Sequence, residues 1–338
     1  MNLSARHAEL MYQEPRLRIR DAAQRLGTTE AALVALQGGT TLRPDWPALF
    51  AALPALGGIM ALTRNEHAVH ERHGRFEEVS AGPGHILVTG PDIDLRLFTR
   101  RWAHAFAVAG ERPSLQIFDV DGEAAHKIFA TEHTDRAAWA ALVERFTCLA
   151  AAAPPQAAPA PATAKAEAEV DGRALRSDWL ALRDTHDFFG LLNRHKASRR
   201  QAFRLAGEDL ALPLAPEAAR TTLQLAAARE VPIMVFVGNR NAIQIHTGPV
   251  RRLAATPGWF NVLDPAFNLH LREAGVAEAW RVVKPTEDGA VTSIELLDAA
   301  GETVAMLFGA RKPGQAERED WRRLASDVAQ THAREEAA

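Results

Sequence analysis

Hydrophobic and polar positions along this chain change period in blocks, and the blocks occur twice. Residues 15–35 carry apolar positions at helical spacing, interrupted at Gly27–Glu30. This predicts a helix, a turn and a second helix, with Thr28 or Thr29 as N-cap and Glu30 in the favourable first turn. From about residue 57 to 133 the period falls to two. Ile93, Leu95 and Leu97 alternate with Asp94, Arg96 and Phe98, the mark of a half-buried strand. Ser114 to Ala130 reads as a hairpin turning at Asp119-Val120-Asp121-Gly122, and Ala137 to Leu149 returns to helical spacing.

Residues 150–168 are rich in Ala and Pro and cannot bury enough to order themselves, so they read as an extended linker. Beyond them the programme repeats. A helix is expected over 174–194, a break at Lys196–Ser198, a helix over 199–206, and strands from Met234 onward. Asn65 to Gly74 answers Asn239 to Gly248, and Pro91 answers Pro265, at a constant shift of 174 residues. The turn Asp298-Ala299-Ala300-Gly301 repeats the first hairpin turn at a shift of 179, and Glu317 to Ala329 repeats the helix after it. The expected architecture is α+β with an internal duplication. Each repeat has a large antiparallel sheet flanked by helices, and a ligand cleft lies between the halves. The boundaries are residues 1–149 for the first repeat, 150–170 for the linker and 171–332 for the second repeat.

Composition narrows the function. The 338 residues are 47% hydrophobic and 24% charged, as a well-buried core requires. Net charge is -3 and no basic recognition helix follows Thr29, which argues against nucleic acid as the partner. Cys148 is the only cysteine, so a disulfide framework or thiolate metal site within one chain is excluded. Neither a signal peptide nor a run of roughly 20 apolar residues is present, so no membrane insertion is expected and the chain reads as cytoplasmic. Tyr12 is the only tyrosine, so if iron or haem is bound the 13 histidines, and not a phenolate, are the candidate ligands.

Among these, His186 is the sharpest. On a helix it shares a face with Phe189 and with Leu192 or Asn193, so an imidazole and an aromatic ring border one surface. Such an imidazole serves as an axial haem ligand or, equally, as a core-edge histidine bonded to a carbonyl. His195, Lys196, Arg199 and Arg200 cluster at the inter-helix break, where they form either a carboxylate site or a solvated basic turn. Lys284 is a lone cation on an apolar strand. His67, His70 and His73 fall on opposite faces of a strand and lack acidic or thiol partners, which excludes a zinc site there. Dinucleotide, phosphate-loop, serine-hydrolase and zinc-protease motifs are missing. The residues alone describe a duplicated α+β ligand binder.

One combination goes further. It comprises Asp184 to Phe203, Val235-Phe236-Val237-Gly238-Asn239-Arg240, Ile243-Gln244-Ile245-His246-Thr247-Gly248 and Asn261-Val262-Leu263-Asp264-Pro265. With Asn65 to Glu71 and Asp94 to Phe98, it resembles the HemS/HmuS/ChuS family of bacterial cytoplasmic haem-trafficking and haem-degrading proteins, nearly end to end. The resemblance implies two repeats with one haem b, as ligand or substrate, in the cleft. It implies that His186 is the axial iron ligand and that Arg96 is the distal, catalytic arginine. Arg199 and Lys284 correspond to cations that hold the propionates, Phe189 borders the His186 face by its spacing, and Phe308 enters only as pocket wall. The family often reads Gln-Leu-Tyr-Gly where this chain has Met306-Leu307-Phe308-Gly309, and this removes two hydrogen-bonding groups from the propionate region.

The function so implied is haem transport for iron acquisition, with oxidative haem degradation open beside it. The implied partners are an inner-membrane haem importer, a separate haem oxygenase or an external electron donor. A rival from another class is an adaptor that binds no haem.

Overall fold

The computed structural model describes residues 2–148, 152–158, 169–312 and 314–334. The linker expected over 150–170 therefore lies in part outside the described residues. So does Leu149, the expected end of the helix that begins at Ala137.

The first repeat opens with α1 (Leu3–Gln13), α2 (Ile19–Leu26), α3 (Glu30–Leu36), β1 (Thr40–Leu42) and α4 (Trp46–Ala52). Strands follow: β2 (Gly57–Arg64), β3 (Ala68–Gly74), β4 (Glu78–Gly82), β5 (His85–Thr89), β6 (Asp94–Phe98), β7 (Trp102–Val108), β8 (Ser114–Asp119) and β9 (Ala124–Thr134). The repeat closes on α5 (Arg136–Phe146). The second repeat has the same order. It runs α6 (Gly172–Leu180), α7 (Asp187–His195), α8 (Arg199–Ala206), β10 (Ala211–Leu214) and α9 (Ala218–Ala228). Then come β11 (Ile233–Asn239), β12 (Ala242–Gly248), β13 (Leu253–Thr256), β14 (Trp259–Leu263), β15 (Phe267–Arg272), β16 (Glu278–Lys284), β17 (Val291–Leu297) and β18 (Thr303–Gly309), and finally α10 (Glu319–His332).

The strands build two nine-stranded antiparallel sheets, ordered β1-β7-β8-β9-β2-β3-β15-β14-β13 and β10-β16-β17-β18-β11-β12-β6-β5-β4. The duplication and the α+β class are thus properties of the fold. By compactness the chain forms two units. One comprises Met1–Thr63, Glu71–Ala162 and Asn239–Gln244; the other comprises Arg64–His70, Thr163–Gly238 and Ile245–Ala338.

In the second unit, the alternation along β17 sorts side chains to two cores. Ile294 and Leu296 pack with α9 and α10, alongside Leu223, Trp321 and Val328. Leu297 packs with Trp179, Phe188, Leu191 and Phe203 from α6, α7 and α8. In the first unit Leu95, Leu97, Ile117 and Ile128 share a core with Phe50 and Phe146, while Phe106 and Phe118 pack on α3. Among the described residues no helix is long and apolar enough to cross a membrane.

The helix expected over 174–194 is in fact two. The chain leaves α6 after Leu180, and the Asp184 side chain accepts a hydrogen bond from the His186 backbone N–H at 2.9 Å. That local bond competes with the helical ladder and turns the backbone before α7. His186 is therefore the N-cap residue of α7, outside a continuous helix. The last helix is also shifted, running Glu319–His332 where Glu317–Ala329 was expected. Helices α1, α4 and α9 had no counterpart in the pattern.

Candidate functional site

All but one of the candidate residues belong to the second unit. The exception, Arg96, lies in the first, on β6. Arg96 and Asp94 are two apart on a strand and so share a face, opposite fully buried Leu95 and Leu97. The Arg96 guanidinium bonds the Asp94 carboxylate and donates to the Leu95 carbonyl at 3.2 Å. Burial raises the Asp94 pKa, and the charge of Arg96 and its hydrogen bond pull it back.

His186 stands at the start of α7 with its side chain 83% exposed. Its Nδ1 lies 2.7 Å from an Asp184 carboxylate oxygen, the same oxygen that accepts the His186 backbone N–H. These bonds, the backbone one foremost, hold the Asp184 pKa below the usual carboxylate range. With Nδ1 engaged, Nε2 is the nitrogen left for a ligand. Phe189 is exposed as well, at 69%, and Asn193 continues this exposed face. Leu192 does not, because it is buried in the core beneath.

Beneath α7 lies a sheet face of mixed character. Register places Met306 opposite Glu295, Phe308 opposite Ser293, Phe236 opposite Met306 and Met234 opposite Phe308. The four apolar members are half-buried, and the Phe236 and Phe308 rings meet edge to face at 5.1 Å. Phe308 thus forms part of an aromatic and thioether surface.

Arg199 and Lys284 converge at the edge of that surface. Both bond the carboxylate of Glu295, which is fully buried and also accepts from the Ser293 hydroxyl at 2.9 Å. Lys284 Nζ sits 4.6 Å from the centre of the Phe188 ring and 5.8 Å from that of Phe308. The Arg199 guanidinium lies 5.2 Å from Phe188. Burial alone raises the Glu295 pKa. The charges of Arg199 and Lys284, with hydrogen bonds from Lys284 and Ser293, outweigh it and hold the group at about 2. Desolvation lowers the Lys284 pKa, against the pull of Glu295.

Two more side chains of the inter-helix turn have acidic partners, His195 Nε2 with Asp178 at 2.9 Å and Arg200 with Glu278 at 3.5 Å. Sequence reasoning missed Glu295 and Asp184. A signal existed for Glu295: it is an acid in the otherwise uncharged stretch from Val291 to Leu297, and Lys284 is on the neighbouring strand.

A family model described as the haemin-degrading HemS.ChuX domain matches residues 27–146 and again residues 196–328. The chain is 39% identical over 330 residues to the hemin transport protein HmuS of Yersinia pestis, covering 95% of each chain. Among solved structures it is similar to holo-PhuS, a heme-binding protein from Pseudomonas aeruginosa. There the identity is 50%, the TM-score is 0.91, and 96% of this chain and 97% of that one are covered. It is also similar to the heme degrading enzyme ChuS of Escherichia coli O157:H7, with 38% identity, a TM-score of 0.88, and 96% and 98% covered.

Proposed function

The chain belongs to the haemin-degrading HemS/ChuX family, and from that premise we propose that it binds haem b through His186 and carries it in the cytoplasm for iron acquisition. The observation that supports this reading most is the state of His186. An exposed imidazole with Nδ1 held by a carboxylate presents Nε2 as a lone-pair donor, the form in which histidine ligates haem iron.

The surroundings suit the rest of the ligand. Phe189 offers an exposed aromatic edge, and Met234, Phe236, Met306 and Phe308 offer a polarizable apolar surface for a macrocycle. Arg199 and Lys284 bring positive charge for propionates. Arg96 is assigned a donor role toward the haem on the family resemblance. Its partnership with Asp94 makes that role one of sharing its N–H groups between the two.

Relatives are named for transport and for degradation. As a carrier, the protein takes haem from an inner-membrane importer and hands it to a separate haem oxygenase. As an enzyme, it cleaves the macrocycle oxidatively with electrons from an external donor. An absorption time course decides between them, using purified protein, one equivalent of hemin, then reductant under air with catalase present. For a carrier, a sharp His186-dependent Soret band survives the reductant. For an enzyme, that band decays while a linear-tetrapyrrole band and free iron appear. The absence of any Soret change would sink both.

A further inference from the structure

Two cations at a carboxylate-binding surface supply two positive charges, but here they enclose a third charge. Glu295 is fully buried between Arg199 and Lys284 and bonds both. Arg199 retains 21% side-chain exposure, whereas Lys284 retains 4%. An incoming carboxylate thus meets one net positive charge, on a group already engaged by an internal anion.

The first repeat shows that the fold does not demand an acid at this position. At the shift of 179 residues that relates the two hairpin turns, Gln116 is the counterpart of Glu295 and Ser114 of Ser293. The side-chain bond is kept, with Gln116 Nε2 donating to Ser114 Oγ at 3.0 Å. The ion pair there has the reverse arrangement. The acid, Glu30, follows the N-cap Thr29 on the helix, and the cation, Lys127, stands on the strand opposite Gln116. In the second repeat the residue after the N-cap Ser198 is the cation Arg199, the acid is on the strand, and Met306 stands where Lys127 would.

Resting on the haem-binding reading above, we propose that Glu295 is an affinity-setting counter-carboxylate. It competes with a ligand propionate for Arg199 and Lys284, and so keeps the haem exchangeable. This suits a protein whose task includes release, since the carboxylate that weakens binding also satisfies both cations once the ligand has left. Glu295 is a specificity-determining residue in this scheme. It discriminates ligands by the charge they bring and takes no part in covalent chemistry.

The test is hemin titration of the wild type, Glu295→Gln, Lys284→Met and the double variant, followed at the Soret band. Hemin dimethyl ester, which lacks free carboxylates, is titrated in parallel. Glu295→Gln is expected to bind hemin about tenfold more tightly, the worth of a charge-assisted hydrogen bond regained, and the ester with unchanged affinity. Lys284→Met, left with a neutral Arg199–Glu295 pair, is expected to bind about tenfold more weakly. The double variant restores one net charge and is expected to recover to within about threefold of the wild type.

Unchanged or weaker hemin binding by a folded Glu295→Gln would overturn the proposal, and so would equal tightening toward the ester. Should Glu295→Gln not fold, the double variant decides: affinity no better than that of Lys284→Met overturns the proposal. If the wild type itself does not bind hemin, it is the haem-binding reading that fails.

Discussion

At the scale of single residues, the chemistry lies in pairs whose second member is an acid. His186 has Asp184, Arg96 has Asp94, and Arg199 and Lys284 share Glu295. His186, Arg199 and Lys284 stood out in the sequence as an imidazole and cations with two readings each, and the family resemblance alone singled out Arg96. Asp184 and Asp94 were within reach, each two positions from its partner. Glu295 stood out only as a lone acid on an otherwise uncharged strand, and its bond to Arg199, 96 residues away in the chain, was not legible because only the fold joins them. Asp184 orients the His186 imidazole, so Asp184→Ala is expected to weaken hemin binding by about tenfold, as read by Soret titration, and to cost about 1 kcal/mol of stability through the lost backbone hydrogen bond.

A buried histidine outside the site gives a second prediction. His126, fully buried with Nδ1 2.9 Å from the Thr63 hydroxyl, is pushed by desolvation from 6.5 down to about 3. Between those values the unfolded chain binds a proton that the folded one does not, so folding stability falls as pH drops below 6.5 and is fully present above it. The slope attributable to this group is about 1.4 kcal/mol per pH unit. Urea unfolding from pH 7 to 4 should show it, and His126→Gln should flatten it.

At the scale of elements, period and turn chemistry predicted most strands well. The alternation from Ile93 to Phe98 became β6, and the two Asp-x-x-Gly turns joined β8 to β9 and β17 to β18. Helix ends were harder to read. Leu182 is buried and continues the apolar pattern of α6, so nothing in the hydrophobic spacing marks the break before α7. A single side chain, Asp184, makes that break, and it shifts His186 from mid-helix to a cap. Helix α9 escaped notice because its Ala- and Thr-rich face carries few large apolar residues.

Packing of β18 against α10 yields an element-scale prediction. A Cβ on Gly309 would lie 2.5 Å from Trp321 Cγ and 2.6 Å from its Cβ, and Trp321 is fully buried. Gly309→Ala should therefore destabilise the protein by about 1–3 kcal/mol through overpacking, measured by chemical denaturation.

At the scale of the whole molecule, the duplication was visible in the constant shifts between repeats, and the fold repeats the element order from three helices to the closing helix. What the shifts did not reveal is that each compact unit includes a short turn from the other repeat, Arg64–His70 in one and Asn239–Gln244 in the other. Paired asparagines fix these turns. Asn65 Nδ2 donates to the Gly238 and Val304 carbonyls at 3.0 and 2.8 Å, and its Oδ1 accepts from the His67 and Ala68 N–H groups. Asn239 Nδ2 donates to the Ala125 carbonyl at 3.1 Å, and its Oδ1 accepts from the Asn241 N–H. Asn65→Ala should cost about 2–3 kcal/mol, since four part-buried carbonyl and amide groups lose a partner at once. Urea denaturation of the variant against the wild type measures this.

The stretch from Pro154 to Ala158, within the expected linker, is likewise fixed. Thr28 and Thr29 donate their hydroxyls to the Gln156 and Pro155 carbonyls, each at 2.7 Å. Composition alone gave no sign of this attachment.

The central claim is that His186 ligates haem iron. It is tested most directly by the Soret spectrum of the protein with one equivalent of hemin, recorded for the wild type and for His186→Ala. The account predicts a sharp Soret band in the wild type that is lost or displaced in the variant, with both proteins equally folded by circular dichroism. An identical band in the two proteins would contradict it and move the iron ligand elsewhere.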